Sequence, residues 1–270
     1  MEDLRSGARP PVSRADEDRI AILTLDHQGS RNSLSDAMLA ALQANLDGIA
    51  ADKRIAAVIL TAEGPAFCAG HDLKEMTAHR ADADRGCAFY EQMFVRCAKL
   101  MLSLVRLPQP VIAAVEGVAT AAGCQLVASC DLAVAGQGAG FATPGVNIGL
   151  FCSTPMVALS RNISRKAAME MLLTGEMIGA REALRVGLVN RVAEDGERAS
   201  DLALSLARRI ASKPRLTVKT GKEAFYRQLE MPLEEAYAYA SRAMVENMLA
   251  RDAQEGISAF IEKREPRWTV

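Results

Sequence analysis

The sequence has few aromatic residues and no excess of basic charge. Phe, Tyr and Trp make up 4% of its 270 residues, and the formal net charge is -1. Proteins that bind nucleic acids usually carry a basic stripe or aromatic side chains that stack on bases. We therefore expect no nucleic-acid partner.

The sequence also lacks a long apolar run, a secretory signal and paired cysteines. No run approaches the roughly 20 apolar residues of a membrane span, and the first residues, MEDLR, are not those of a signal peptide. The six cysteines form no C-x-x-C pair, and no neighbouring His completes a metal-binding spacing. We expect reduced, mostly buried cysteines, no metal, no membrane association and a cytoplasmic protein.

Three common enzyme motifs are missing. No G-x-G-x-x-G leads from a strand into a helix, and the sequence contains neither a Walker A loop nor a G-x-S-x-G elbow. These absences weaken the case for hydride transfer, nucleotide hydrolysis or serine-hydrolase chemistry as the function of this protein.

Short apolar runs alternate with helical patterns over the first two thirds of the chain. The run at 57–61 is apolar on both faces, which indicates a sheet that is covered on both sides. Alternation of this kind predicts an α/β fold with a largely parallel sheet. We expect a flexible segment at 1–18, an α/β core at 19–200 and a helical region at 201–270. The four predicted strands are 20–25, 57–61, 111–115 and 132–135.

Two segments each follow a predicted strand and turn into a helix through small residues. They are 64–73 (GPAFCAGHDL) and 116–125 (EGVATAAGCQ). The first N–H groups of a helix lack intrahelical partners and favour negative charge, and small side chains let a ligand approach them closely. Either segment alone is also explained by tight packing. Two such turns facing each other would hold the negative oxygen of a polarised carbonyl, such as that of an acyl thioester.

Together with other segments in the same order, this pair resembles the crotonase superfamily, which includes enoyl-CoA hydratases and isomerases. The resemblance extends from about residue 20 to residue 268. It is closest to the members called enoyl-CoA hydratase domain-containing proteins. The other matching segments are RNSL at 31–34, PVIAAV at 110–115, CDL at 130–132, TGEMIGA at 174–180, GLVN at 187–190 and QEGISAFIEKREPRW at 254–268.

The resemblance implies a spiral of repeated β-β-α units with a helical C-terminal trimerisation region, assembled as a homotrimer or a dimer of trimers. It implies a coenzyme A thioester as substrate, no covalently bound cofactor and a place in fatty acid metabolism. The N–H groups of Ala69 and Ala122 would form the oxyanion hole. Matching positions near coenzyme A are Arg31, Asn32, Ser33, Gly70, Asp72, Leu73, Gly123, Phe260 and Lys263, the last two across a subunit boundary.

The chain departs from the family pattern at both glutamates that activate water in typical hydratases. Gln125 occupies the first position and Gly145, in the segment FATPG, occupies the second. An amide does not accept a proton as a carboxylate does, and glycine has no side chain. General acid–base catalysis typically contributes about 10²–10⁴-fold, so hydration is doubtful.

His71 remains as a candidate catalytic group beside Gly70. The segment Gly70-His-Asp resembles decarboxylases of this superfamily that act on methylmalonyl-CoA, in which the His is catalytic. Those enzymes have a Tyr at the position of Cys152. The leading hypothesis is an acyl-CoA enzyme of lyase or isomerase class. Decarboxylation of a malonyl-type thioester and acyl-CoA binding without catalysis are the alternatives.

Overall fold

Strands of two different sheets alternate along the chain. The computed structural model describes residues 10–269. The strands are β1 Val12–Glu17, β2 Ile20–Leu25, β3 Ala57–Ala62, β4 Ala66–Cys68, β5 Val111–Val115, β6 Val118–Thr120, β7 Leu132–Ala135, β8 Gly140–Ala142, β9 Ile178–Gly179 and β10 Arg191–Val192. The α-helices are α1 Asp36–Ala51, α2 Leu73–Ala78, α3 Cys87–Arg106, α4 Ala122–Ser129, α5 Ser153–Asn162, α6 Arg165–Thr174, α7 Ala180–Val186, α8 Ala199–Ala211, α9 Arg215–Gln228, α10 Leu233–Met248 and α11 Arg251–Glu262.

The larger sheet has six strands in the order β1-β2-β3-β5-β7-β10. Strand β1 is antiparallel to β2, and the other pairs are parallel. The smaller sheet has the order β4-β6-β8-β9, with β9 antiparallel. A strand of the large sheet, a strand of the small sheet and then a helix recur three times. The expected β-β-α repeat and α/β class are therefore confirmed.

Apolar clusters cover both faces of the large sheet. Along β3, Val58 and Leu60 point into the cluster shared with α1, α3 and α4, whereas Ala57 and Ile59 point to the opposite face. There they meet the alanines of α8, whose small side chains let the helix approach closely. The prediction from 57–61 of a sheet covered on both sides is confirmed. Full burial of a Val, Leu or Ile side chain stabilises the fold by about 1.5–3 kcal/mol.

The structure changes two predicted boundaries. Residues 12–17, assigned to a flexible lead-in, form β1, because their backbone pairs with β2 along its full length. Residues 1–9 lie outside the described part of the chain. Helix α8 crosses the boundary placed at 200 and packs on the large sheet, so it belongs with the core.

Helices α9 to α11 follow as a separate layer that contains little of the core. They contact one another, and the tail folds back on α11, where Thr269 donates to the Asp252 carboxylate. The Trp268 ring lies against Gly256, where an added Cβ would be 3.1 Å from the ring. This contact accounts for the Gly and the Trp of the 254–268 segment. No helix within residues 10–269 has the length and apolarity needed to cross a membrane.

Candidate active site

The first candidate turn connects β4 to α2 and is fastened to the loop at 31–34. Ala69 N–H donates to the Arg31 carbonyl at 3.1 Å, and Leu34 N–H donates to the Gly70 carbonyl at 2.7 Å. Ala69 N–H is therefore already engaged and does not point at a ligand. This contact corrects the expectation that Ala69 supplies an oxyanion donor.

The next amide with no acceptor in this turn belongs to His71. Gly70 has φ +94°, a conformation that glycine adopts readily, and it reverses the chain so that His71 starts the approach to α2. Within residues 10–269 no hydrogen bond is found for His71 N–H. Asp72 then caps α2 by accepting from the N–H groups of Lys74 and Glu75. The turn thus presents one unpaired amide, that of His71.

The second candidate turn connects β6 to α4 through a strained residue. Ala121 has φ 50° and ψ -117°, which is unusual for a residue with a side chain, and its N–H donates to the Ala142 carbonyl at 2.9 Å. Backbone strain of this kind costs about 1–3 kcal/mol and is typical of functional sites. Ala122 is the first residue of α4, so its N–H has no intrahelical partner.

The two turns are in direct contact. A Cβ added at Gly70 would lie 3.0 Å from the Ala121 Cβ and 3.4 Å from the Ala122 nitrogen. A Cβ added at Gly123 would lie only 2.1 Å from the Cys68 carbonyl oxygen, so glycine is required where α4 packs against the end of β4. The sequence prediction of two facing turns therefore agrees with the structure.

The His71 side chain is largely shielded from solvent beside the first turn. Its Nδ1 lies 3.4 Å from the Leu34 carbonyl oxygen, which can only accept, so Nδ1 carries the proton. The ring meets Phe94 edge-on with centroids 5.5 Å apart, and burial lowers the pKa of His71 below its ordinary value. Nε2 is inaccessible to solvent and has no partner. With the proton on Nδ1, Nε2 would present a lone pair.

The two positions of the missing glutamates differ in the space and the polar groups that they offer. Gln125 lies one helical turn after Ala121, is 5% exposed and has an Oε1 without a partner. Gly145 lies in a tight loop in which an added Cβ would be 2.6 Å from the Leu150 carbonyl oxygen and 2.9 Å from the Cys152 sulfur. Gln125 keeps a polar group at the site, whereas the space beside Gly145 is filled by the chain itself.

Cys152 does not supply the missing chemistry. Burial raises the pKa of its thiol above the ordinary value, so the thiol stays protonated at neutral pH. Burial also raises the pKa of Cys124, next to Gln125, to about 12. All six cysteines are free, and Cys87 is the exposed one.

The loop at 31–34 has a structural role in addition to any contact with ligand. The fully buried Asn32 accepts from His27 N–H at 2.7 Å and donates to the carbonyls of Glu63 and Ala66. Ser33 donates to the Asp72 carboxylate at 3.1 Å. These bonds hold the first turn in place. Of the predicted coenzyme A positions here, Leu73 is 51% exposed, and Arg31 is exposed with φ 54°.

Phe260 and Lys263 lie in a different part of the molecule. Phe260 is 85% exposed on α11, and Lys263 ends this helix with φ 54°. Helix α11 contacts α9 and α10, and the two turns belong to the α/β core. The structure brings the other predicted positions together around the two turns, and it adds Ala121 and the fully buried Thr143, which the sequence analysis missed. A lone Thr next to Pro144 carries no sequence signal of burial at a site.

Comparison with known proteins supplies the decisive observation. The model of the family described as enoyl-CoA hydratase/isomerase matches residues 15–270. The chain belongs to this family. The rat protein called enoyl-CoA hydratase domain-containing protein 3, mitochondrial, is 48% identical over 96% of this chain and 84% of its own length.

Solved structures support this membership. An enoyl-CoA hydratase from Mycobacterium smegmatis has a TM-score of 0.91 and 51% identity, over 96% of this chain and 99% of its own. Human enoyl-CoA hydratase domain-containing protein 3 has a TM-score of 0.90 and 48% identity, over 96% and 100%. The family and the particular group that the sequence suggested are confirmed. It is a family of acyl-CoA-processing enzymes.

The same comparison contradicts one expectation. The absence of a signal peptide led to the prediction of a cytoplasmic protein, but the rat and human relatives are mitochondrial proteins by name. The cytoplasmic prediction is therefore wrong. It relied on the first residues, which do not distinguish the cytoplasm from every other compartment.

Proposed function

We propose that the protein is an acyl-CoA enzyme that holds the thioester oxygen between the N–H groups of His71 and Ala122. The observation that carries the proposal is the contact between the two turns, in which a Cβ at Gly70 would lie 3.4 Å from the Ala122 nitrogen. Neither N–H group has a partner within residues 10–269. Each such donor typically lowers the barrier by about 3–4 kcal/mol when negative charge develops on the oxygen.

The proposed reaction is not addition of water by a pair of carboxylates. Gln125 has no proton-accepting carboxylate, and Gly145 has no side chain. The protein retains the means to stabilise an enolate, which serves lyase and isomerase reactions at the carbon next to the thioester. Loss of about 10²–10⁴-fold per missing acid–base group would leave little hydration.

The geometry of His71 argues against decarboxylation of a malonyl-type thioester. That reaction needs a proton donor for the enolate, but His71 Nε2 carries a lone pair while Nδ1–H is directed at the Leu34 carbonyl. Burial further disfavours the imidazolium form. Acyl-CoA binding without catalysis is the second candidate, and loss of both carboxylates favours it.

A homotrimer or a dimer of trimers would complete the coenzyme A site. Helix α10 exposes an apolar stripe that residues 10–269 leave uncovered. In a trimer this face would be buried, and Phe260 and Lys263 of a neighbouring copy would reach the coenzyme A portion. The residues of the stripe are Leu233, Tyr237, Met244 and Met248, which are 51–73% exposed.

The experiment uses butyryl-CoA labelled with ¹³C at the thioester carbonyl. Two donors polarise the carbonyl, so its resonance should move downfield on binding to the wild-type protein. Gly70→Ala places a Cβ beside the Ala122 amide and should abolish this shift, whereas Gly138→Ala, where an added Cβ meets nothing within 4 Å, should keep it. A bound ester whose carbonyl resonance does not move would refute the proposed oxyanion hole.

Turnover is tested with crotonyl-CoA and methylmalonyl-CoA, followed by mass spectrometry. We expect no gain of water on crotonyl-CoA at an ordinary enzymic rate. Hydration at such a rate would overturn the argument from Gln125 and Gly145. Loss of carbon dioxide that disappears in His71→Ala would establish decarboxylation instead. Retention of esters with no change in any of them would favour the binding protein.

A further inference from the structure

Helix α11 and the tail at 264–269 enclose a basic cavity of about 360 Å³. The residues that line it are Arg251, Glu255, Arg264 and Arg267. Three arginines against one glutamate leave an excess of two positive charges, although the whole chain has a formal net charge of -1. A concave surface lined by charge of one sign attracts ions of the opposite sign.

The tail is fastened to α11 through the carboxylate of Glu255. Arg264 Nη1 donates to Glu255 Oε1 at 2.7 Å and Arg264 Nη2 donates to Oε2 at 3.0 Å. Arg267 N–H donates to Oε1 at 2.7 Å. The bonds from Arg264, followed by the bond from the Arg267 backbone, lower the pKa of Glu255 to about 2. Both oxygens of this carboxylate are therefore engaged within the chain.

The excess charge belongs to Arg251 and Arg267. Arg264 is neutralised, because it pairs with Glu262 as well as with Glu255. The side chains of Arg251 and Arg267 are exposed, and neither guanidinium group donates to any acceptor within residues 10–269. Two free guanidinium groups therefore line one cavity, together with a carboxylate whose lone pairs are already used.

The chemistry of these groups favours phosphate over other anions. A guanidinium group is planar, and its N–H groups bind two oxygens of a phosphate or carboxylate at once. A phosphate monoester carries a charge of about -1.5 to -2 at pH 7, which matches two free guanidinium groups. A single carboxylate carries one negative charge and would leave one of the two arginines without a counter-charge.

The cavity lies on a different side of α11 from the exposed ring of Phe260. Arg251 and Phe260 are nine residues apart on this helix, which corresponds to about two and a half turns. The two side chains therefore leave opposite sides of the helix. An anion held by Arg251 would not occupy the surface around Phe260, which the resemblance places near coenzyme A.

We propose that Arg251 and Arg267 form a binding site for the phosphate group of a small molecule, separate from the thioester site. The bound phosphate bridges the first residue of α11 and the tail, and so holds the tail against the helix. The site does not depend on the proposed function, because neither arginine belongs to the two turns.

The test is a calorimetric titration of the full-length protein with inorganic phosphate. We expect one phosphate per chain, bound more weakly as the NaCl concentration rises. Arg251→Gln and Arg267→Gln each remove one free guanidinium group and should weaken binding about tenfold. Arg242→Gln removes an exposed arginine of α10 that does not line the cavity and should leave binding unchanged. Thermal unfolding without phosphate establishes that the variants fold.

A further variant distinguishes this site from the predicted coenzyme A surface. Lys263→Gln removes the cation that the resemblance places near coenzyme A and should leave phosphate binding unchanged. If Lys263→Gln weakens binding as much as Arg267→Gln does, phosphate occupies the coenzyme A surface and the separate site is overturned. Absence of phosphate binding, or binding that is unchanged in Arg251→Gln and Arg267→Gln, also overturns it. An equal loss in Arg242→Gln would reduce the effect to general surface charge.

Discussion

Glutamate at Gly145 should destabilise the protein rather than restore a hydratase. An added Cβ would lie 2.6 Å from the Leu150 carbonyl oxygen and 2.9 Å from the Cys152 sulfur. The contact with the Leu150 carbonyl is with the backbone, which cannot be relieved by rotation of a side chain. Relief of such crowding typically costs about 1–3 kcal/mol. Displacing Leu150 also breaks its N–H bond to the Gly145 carbonyl, 2.9 Å long, at about 1 kcal/mol. We therefore expect a loss of about 2–4 kcal/mol.

Urea unfolding followed by circular dichroism measures this loss, and two glycine variants control for it. Gly145→Ala adds the same Cβ without a carboxylate and should lose a similar amount. Gly48→Ala lies on the exposed side of α1, where an added Cβ meets nothing within 4 Å, and should stabilise by about 0.5–1 kcal/mol. If Gly145→Ala is as stable as the wild type, the loop yields easily and the reasoning is refuted.

Activity gives a second readout of the same change. The double variant Gln125→Glu with Gly145→Glu carries both residues of a typical hydratase, but the crowded loop should keep the second carboxylate out of place. We expect crotonyl-CoA hydration within about tenfold of the Gln125→Glu single variant, against the 10²–10⁴-fold typical of a well-placed acid–base group. Gain of a full 10²-fold or more over the single variant would contradict the structural argument.

Three further predictions concern stability in urea. Ala121→Gly should stabilise the protein by about 1 kcal/mol by relieving positive φ, and a loss of that size would contradict the strain. Lys222 Nζ lies 2.6 Å from the buried Asp131 carboxylate, and Lys222→Met would leave this carboxylate without its cation. The free energy of unfolding should fall by about 3–5 kcal/mol, and an unchanged urea midpoint would refute this. Burial lowers the pKa of His71, so as the pH falls the unfolded state takes up a proton before the folded state does. The contribution of His71 to the free energy of unfolding is therefore fully present above about pH 6.5 and is lost progressively below it. His71→Gln should reduce the difference between about pH 7.5 and about pH 5.5, and an unaltered difference would exclude His71 as its source.

The sequence predicted the four central strands of the large sheet, because each is a continuous apolar run. Apolar runs such as 57–61 are buried on both faces, and this pattern survives in the sequence as a continuous apolar stretch. The three-residue strands β4, β6 and β8 are too short to show any periodicity. From the sequence alone, the segment 119–130 has the pattern of one helix, but it contains the end of β6 and then α4.

The sequence predicted the two facing turns but not which amide of the first turn lacks a partner. Small residues around Gly70 and Gly123 marked the two turns, because the close approach of backbones needs glycine at both places. The choice between Ala69 and His71 depended on which amide the loop at 31–34 engages, a contact across more than 30 residues. The burial of Thr143 likewise arises only in the folded chain.

The departure from the hydratase pattern is a property of a loop, not of two isolated substitutions. A single change to Gln125 would leave a polar side chain in place and the surrounding backbone untouched. At Gly145, however, the Leu150 carbonyl and the Cys152 sulfur fill the volume that a side chain would need. The N–H groups of His71 and Ala122, which we propose to stabilise an enolate, lie on other segments of the chain. We therefore propose that the chain keeps the two turns that would polarise a thioester, while the loop at Gly145 excludes the second carboxylate of a typical hydratase.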